Sequence, residues 1–138
     1  MRSIFIDSDI LLDIILERHP YYEWALGILL LVDQDQKAYS ACTSVHSLLN
    51  AHYLTKKYSG EKSARNSIRL LVNKLDIITE DRKIVENALA SGFSDFEDAV
   101  QYHAAISVKA DVIITRNIKD YKQSTIPVLT AEQFLRSL

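Results

Sequence analysis

The stretch that decides the fold is Ile4–Asp13, which reads IFIDSDILLD. The uninterrupted apolar run Ile4–Ile6 predicts a buried central strand of a parallel sheet, because strands covered on both faces lose the polar alternation of half-exposed strands. The run ends abruptly in Asp7, which we expect at the carboxyl edge of the strand, where open α/β sheets bind their ligands. Ser8 or Asp9 is suited to cap the helix that follows.

Length and composition set the class of protein. A chain of 138 residues with 48% hydrophobic content has the size of one domain with its own core, so we expect a single domain over residues 1–138. The net charge of −2 argues against a histone-like nucleic-acid coat, although a basic face can lie beside an acidic pocket. With one cysteine, no signal-peptide pattern and no apolar run near the ~20 residues of a membrane span, we expect a cytoplasmic protein without a membrane partner.

Strands alternate with helices along the rest of the chain. Further strands are predicted at 37–42, 76–79, 111–115 and 127–129, and helices at 10–17, 20–32, 45–58, 61–74, 81–90, 94–108 and from 130 onward. Expected helix starts are a cap at Thr79 and capping boxes at Ser94–Glu97 and Thr130–Gln133, and Ser59-Gly60 is expected to end a helix. The pattern predicts a three-layer α/β/α sandwich with a parallel sheet of about five strands and the first strand central.

Acidic side chains concentrate at the predicted carboxyl ends of the strands. Beside Asp7, they are Asp95 and Asp98, which lie three apart in the first turn of a helix, and Asp120, which follows the fourth strand with Asn117. Hard divalent cations bind oxygen ligands, usually one or two carboxylates with water and phosphate. A cation would also relieve the repulsion that raises the pKa values of clustered carboxylates. We therefore expect a Mg²⁺ or Mn²⁺ site at this edge.

Asp9 also stands at this edge, and Asp9 and Asp13 lie at helical spacing directly after the first strand. Aspartate in the first turn of a helix is stabilised by the helix dipole, and aspartate after a strand is a common cap. We interpret both side chains as solvated or capping rather than as part of the site.

Three segments carry a resemblance to the PIN-domain family, which includes the VapC-type toxins of bacterial toxin–antitoxin pairs. Phe5–Asp13 resembles the family's apolar strand followed by Asp-(Thr/Ser)-Asn-hydrophobic-Leu-Leu-Asp. Gly92–Tyr102 is similar to a helix start in one bacterial branch, and Ala110–Tyr121 resembles the signature Thr-Arg-Asn-x-x-Asp-Phe. Pro127–Leu135 matches the usual ending of that branch, so the resemblance runs in order along nearly the whole chain.

The resemblance implies a metal-dependent endoribonuclease, in which bound Mg²⁺ or Mn²⁺ activates a water against an RNA phosphodiester. On the matching positions, Asp7, Asp98 and Asp95 would hold the metal, and Asn117 and Asp120 would complete the catalytic set. Toxins of this type form homodimers and are blocked by a small antitoxin protein, so an antitoxin partner and a homodimer are implied as well.

Substrate binding is expected from side chains around the metal. Ser8 matches the small hydroxyl residue beside the site, and Arg116 and Lys119 follow the fourth strand, where they can hold RNA phosphates. The family usually carries a glutamate on the helix after the second strand, but the segment Thr43–Tyr53 contains no acid, and its best match is Asn50 or His46, depending on register. Asparagine offers an oxygen without charge, so metal affinity should be lower.

Two other functions remain open at this point. The run Ile4–Asp9 also looks like the Asp-x-Asp start of haloacid-dehalogenase-type phosphatases, in which Asp7 would attack phosphorus and Asp9 would act as general acid. The later segments lack that family's paired acids, and the chain is short for its fold. The missing glutamate motivates a different alternative, a PIN-like module that binds RNA or protein without cleaving it.

Overall fold

Five short strands alternate with six helices in the computed structural model, which describes all residues from 1 to 138. The strands are β1 (Arg2–Ile6), β2 (Tyr39–Ser44), β3 (Asp76–Ile78), β4 (Val112–Ile114) and β5 (Val128–Leu129). The helices are α1 (Ser8–Ile15), α2 (Tyr21–Gln34), α3 (Val45–Val72), α4 (Arg82–Ala90), α5 (Phe96–Ser107) and α6 (Ala131–Arg136), with a 3₁₀ turn at Ile118–Tyr121.

The strands form one parallel sheet in the order β3-β2-β1-β4-β5. Phe5 in the middle of β1 pairs with Cys42 on one side and with Ile113 on the other. The side chains of Ile4, Phe5 and Ile6 are fully buried, as the apolar run predicts for a strand covered on both faces. The predicted α/β class, the parallel five-stranded sheet and the central first strand are confirmed.

Two layers of helices cover the two faces of the sheet. Ile4 and Ile6 contribute to a core formed with α1, α2, α3 and α6, whereas Phe5 belongs to a second core with α5, in which Tyr102 and Tyr121 are buried. Adjacent residues of β1 thus enter opposite cores, as the pleat of a strand requires. None of the helices has both the length and the hydropathy required to span a bilayer.

The long helix α3 is interrupted at Gly60, whose backbone angles are φ 83° and ψ 170°. A positive φ of this kind is readily adopted by glycine, because it has no Cβ. The predicted end of a helix at Ser59-Gly60 is confirmed, although helical structure resumes at once instead of after a loop.

Three predicted helix starts are wrong by one or two residues. The capping residue is Asp7 for α1 rather than Ser8 or Asp9, Asp81 for α4 rather than Thr79, and Asp95 for α5 rather than Ser94. In each case the carboxylate of an extended aspartate accepts a hydrogen bond from a backbone amide of the first turn. The capping box of Thr130 and Gln133 at α6 is confirmed.

Candidate active site

Asp7 stands where β1 ends and α1 begins, and only 8% of it is exposed. Its Oδ1 accepts hydrogen bonds from the amide of Ser8 at 2.7 Å and from Gln101 Nε2 at 3.2 Å. Its Oδ2 accepts from Thr115 Oγ1 and from the Tyr121 hydroxyl, both at 3.0 Å. A carboxylate offers about four lone-pair positions, so those of Asp7 are all occupied and its orientation is fixed.

Two of these donors are themselves held in place. Gln101 accepts a hydrogen bond from the Ser44 hydroxyl through Oε1 and donates one to Ser47 Oγ through Nε2. Burial and the negative charge of Asp7 raise the pKa of Tyr121 far above its usual range, so its hydroxyl stays protonated and acts as a donor. The buried side chains that surround Asp7 are therefore neutral.

Asp9 lies beside Asp7 rather than in solvent, so its interpretation as a solvated or capping residue is wrong. Its Oδ2 accepts three hydrogen bonds, from Thr115 Oγ1 at 3.2 Å, from the Arg116 amide at 2.9 Å and from Asn117 Nδ2 at 3.0 Å. Its Oδ1 is buried and has no hydrogen-bond partner. Burial and the charge of Asp7 raise the pKa of Asp9 from 3.8 to about 6.

Asp13, one helical turn after Asp9, is completely buried in an ion-pair cluster, so its interpretation as a solvated residue is also wrong. Its Oδ1 accepts from Arg18 Nε at 2.9 Å and from Arg116 Nη2 at 3.0 Å, and Arg116 Nε lies 2.9 Å from its Oδ2. The Arg116 guanidinium also stacks on the Tyr21 ring, 4.0 Å from its centroid. The guanidinium expected to hold RNA phosphate is thus bound to a buried carboxylate.

Asp98 brings a further carboxylate to this edge from the first turn of α5. Partial burial raises its pKa from 3.8 to about 6, and so do the charges of Asp95, Asp120 and Asp7. Asp95 itself is exposed and accepts a hydrogen bond from the Asp98 amide at 3.0 Å. The structure thus brings Asp95, Asp120 and Asp7 near Asp98, and all three charges raise its pKa.

The remaining predicted site residues are Asn50 or His46 on α3 and Lys119 after β4. Asn50 Nδ2 donates to Ser8 Oγ at 3.0 Å, so α3 reaches the site through Asn50. His46 on the same helix instead faces α5, where its Nε2 lies 3.5 Å from Glu97 Oε2. Lys119 is exposed next to Asp120, just beyond the end of β4.

The side chains that orient Asp7 were not found from the sequence. Gln101, Thr115 and Tyr121 are each more than 90 residues from Asp7 along the chain, and local patterns do not report such pairings. One signal was available for Tyr121, because it occupies the position where the resembled signature has phenylalanine. A hydroxyl on an otherwise buried ring needs a nearby acceptor.

The donor chemistry fits a hard divalent cation, although no three His, Cys, Asp or Glu side chains converge into a ready metal cage. Asp9 Oδ1 is a buried carboxylate oxygen without a partner, and several neighbouring carboxylates raise the pKa of Asp98. Mg²⁺ is usually held by one or two carboxylates and keeps several waters. These residues fit a cation of that kind, coordinated by few protein oxygens.

Comparisons with known proteins agree with this architecture. The sequence model of the PIN domain matches residues 3–119. The chain is similar to a toxin–antitoxin complex from Klebsiella pneumoniae, with 25% identity, a TM-score of 0.66 and coverage of 94% of this chain and 98% of that chain. No curated protein matches the sequence.

Two further solved structures share the fold. VapBC2 from Rickettsia felis, bound to a DNA fragment from its promoter, has 18% identity, a TM-score of 0.69 and coverage of 92% and 96% of the two chains. VapC20 from Mycobacterium tuberculosis, a toxin that cleaves the sarcin-ricin loop, has 16% identity, a TM-score of 0.63 and coverage of 80% and 87%.

Proposed function

The chain belongs to the PIN-domain family, and we propose that it is a divalent-metal-dependent endoribonuclease, the toxin of a VapC-type toxin–antitoxin pair. The observation that carries the proposal is the crowding of Asp7, Asp9 and Asp98 at the carboxyl edge of the sheet with neutral donors and no directly paired cationic side chain. RNA as the substrate is supported by the similarity to a toxin that cleaves the sarcin-ricin loop.

In this proposal Asp7 and Asp98 hold Mg²⁺ or Mn²⁺, with Asp95 beside them. An ion held there would supply a water of lowered pKa and positive charge for the phosphate oxygens. The chain's own part is positioning: four donors hold the Asp7 carboxylate, and one of them must give way if Asp7 coordinates directly. Asn117 and Asp120 complete the catalytic set at the end of β4.

We assign contacts with the RNA backbone to the rim of the site. Lys119 is exposed beside the acids and makes no ion pair in the structure, so it is free to bind a phosphate. Ser8 and Asn50, which hydrogen-bond to each other, line the opposite side. Arg116, whose guanidinium is bound to Asp13, contributes by fixing the end of β4 through its backbone amide.

The proposal includes partners and a location. We propose a cytoplasmic homodimer blocked by a small antitoxin, which is supported by similarity to toxin–antitoxin complexes. A short reading frame for a charged protein next to the gene would support the antitoxin. Co-purification of its product with the chain is the expected result, and its absence would favour an RNA-processing role without an antitoxin.

The proposed activity is tested by RNA cleavage with purified protein freed from any bound partner. Structured RNA is incubated with Mg²⁺ or Mn²⁺ over a concentration series, for the wild type and for Asp98→Asn. Loss of a carboxylate that holds the metal is expected to lower the cleavage rate by ~10–100-fold or more, since loss of a group that only orients a metal ligand already has an effect of that size.

Asp111→Asn is the matched control for this experiment. Asp111 accepts a hydrogen bond from the Ser3 amide at 2.7 Å at the amino end of the sheet, and asparagine keeps that acceptor while removing one charge. Its activity should equal that of the wild type. Absence of cleavage at every metal concentration would overturn the proposed activity.

One observation favours a second function, a PIN-like module that binds RNA or protein without cleaving it. Thr43–Tyr53 contains no acid, and Asn50, the residue that reaches the site from α3, uses its amide to donate to Ser8. The helix α3 therefore brings no negative charge to the site, unlike the resembled pattern. RNA binding that persists in EDTA, together with no cleavage in Mn²⁺, would identify such a module.

A further inference from the structure

Two departures from the resembled pattern have opposite effects on the charge of the site. The helix after β2 carries the neutral Asn50 where the pattern has a glutamate, and Asp9 stands where the pattern has an asparagine. We propose that Asp9 is a ligand of the divalent cation and supplies the negative charge that α3 lacks. This inference rests on the proposed function, because it concerns the same metal site.

The hydrogen bonds of Asp9 leave one oxygen unused. Its Oδ2 is held by Thr115 Oγ1, the Arg116 amide and Asn117 Nδ2, which fixes the position of the carboxylate at the end of β4. Its Oδ1 is buried and accepts nothing. A buried acceptor left without a partner costs about 1–3 kcal/mol, and more when it is charged. Coordination of a cation would remove that cost.

The single hydroxyl shared by Asp7 and Asp9 points to the same conclusion. Thr115 Oγ1 lies 3.0 Å from Asp7 Oδ2 and 3.2 Å from Asp9 Oδ2, yet a hydroxyl has only one proton to donate. The Thr115 hydroxyl therefore cannot donate a full hydrogen bond to both carboxylates at once. Opposite charge between or beside them would offset their repulsion.

The hydrogen bonds around the two carboxylates favour Asp9 as a ligand of the cation. Both oxygens of Asp7 accept hydrogen bonds, from the Ser8 amide and Gln101 at Oδ1 and from the Tyr121 hydroxyl at Oδ2, whereas Asp9 Oδ1 accepts none. Arg116 contacts Asp9 only through its backbone amide, because its guanidinium is bound to Asp13. The positive charge of Arg116 thus acts on Asp9 from a distance, but no side chain donates a hydrogen bond to Asp9 Oδ1.

Asp9→Asn tests the inference with little change in shape. The amide oxygen can accept the three hydrogen bonds of Oδ2, while the NH₂ group replaces Oδ1 and cannot bind a cation. Binding of Mn²⁺ to metal-free protein is measured by electron paramagnetic resonance for the wild type, Asp9→Asn and Asp111→Asn. We expect Asp9→Asn to bind at least ~10-fold more weakly, as loss of a ligand requires, and Asp111→Asn to bind like the wild type.

The outcomes separate this inference from the proposed function. Equal Mn²⁺ affinity in the wild type and Asp9→Asn overturns the role of Asp9 and leaves the proposed function intact. A wild type that neither binds Mn²⁺ nor cleaves RNA overturns the proposed function itself.

A second measurement needs no variant. Crystals of the wild type soaked in MnCl₂ should show an anomalous peak about 2.0–2.3 Å from Asp9 Oδ1. A peak coordinated only by other carboxylates would overturn the inference.

Discussion

Asp9 and Asp13 lie one turn apart on α1, but only Asp13 forms ion pairs with arginine side chains. Asp13 is fully buried between two guanidinium groups, those of Arg18 and Arg116, so its charge is neutralised within the fold. Asp9 receives hydrogen bonds only from a hydroxyl and two amides, and one of its oxygens has no partner. Aspartate thus forms internal ion pairs at position 13, whereas at position 9 its carboxylate contacts no cationic side chain.

The difference shows how this site can keep its negative charge in a folded protein. Arg116 takes part in both arrangements, since its backbone amide holds Asp9 and its guanidinium holds Asp13. The guanidinium of Arg116 is therefore paired with Asp13 and donates no hydrogen bond to the carboxylate of Asp9. A buried carboxylate without a cationic partner is stabilised by hydrogen bonds, by protonation or by a bound cation.

The largest effect on stability is expected at Asp13. Asp13→Asn removes the charge that compensates Arg18 and Arg116, so the free energy of unfolding should fall by about 3–5 kcal/mol. Chemical denaturation measures the loss. The control is Asp33→Asn, which breaks the exposed pair with Lys74 and should cost less than about 1 kcal/mol. Equal effects of the two substitutions would contradict the role given to the Asp13 cluster.

A smaller effect is expected when Asp7 loses one of its donors. Tyr121→Phe keeps the buried ring and removes the hydroxyl bonded to Asp7 Oδ2, which should lower the free energy of unfolding by about 1–2 kcal/mol. Because a lone pair of Asp7 becomes free, Mn²⁺ affinity should rise.

Tyr102→Phe is the matched control for that substitution, since its hydroxyl bonds to Thr125 rather than to a carboxylate. Mn²⁺ titration of the two variants tests the comparison. A fall in affinity for Tyr121→Phe, or the same change in both, would contradict the competition between hydroxyl and cation.

The smallest effect concerns the pH dependence of stability. The pKa of Asp98 is raised to about 6 in the folded protein, against about 3.9 in an unfolded chain. Its contribution to stability is therefore fully present below pH 4 and lost as the pH rises through 6. In metal-free protein, Asp98→Asn should raise Tm by about 2 °C at pH 7 and leave it unchanged at pH 4, since solvent screens this partly exposed group.

Thermal unfolding at the two pH values, followed by circular dichroism, measures the change. Asp111→Asn serves again as control, and its difference from the wild type should not vary with pH in this way. A lower Tm for Asp98→Asn at pH 7 would mean that Asp98 is not under repulsion from its neighbours.

Local patterns were sufficient for much of the fold. The apolar run Ile4–Ile6 identified the central strand, because only a strand buried on both faces has no polar alternation. Gly60 marked the break in α3, because the position needs a positive φ. Helix starts were less accurate, since several neighbouring Asp, Ser and Thr residues could each serve as the cap and only one of them directly precedes the helix.

The environment of the acids could be predicted only in part. Asp7, Asp98 and Asn117 were expected together, because parallel strands place their carboxyl ends at one edge. The different environments of Asp9 and Asp13 could not be predicted, since they depend on contacts with Thr115 and Arg116, more than 100 residues away along the chain. Spacing along a helix shows which side chains share a face, but not which of them meets a guanidinium.

We propose that the acidic edge binds a divalent cation, whereas the charge of Asp13 is neutralised within the fold. The most direct measurement is the change in Tm caused by saturating Mn²⁺ in the wild type, Asp98→Asn and Asp13→Asn. We predict a rise of several degrees in the wild type, a similar rise from a lower starting Tm in Asp13→Asn, and little or none in Asp98→Asn. A rise in Asp98→Asn equal to that of the wild type would contradict the claim.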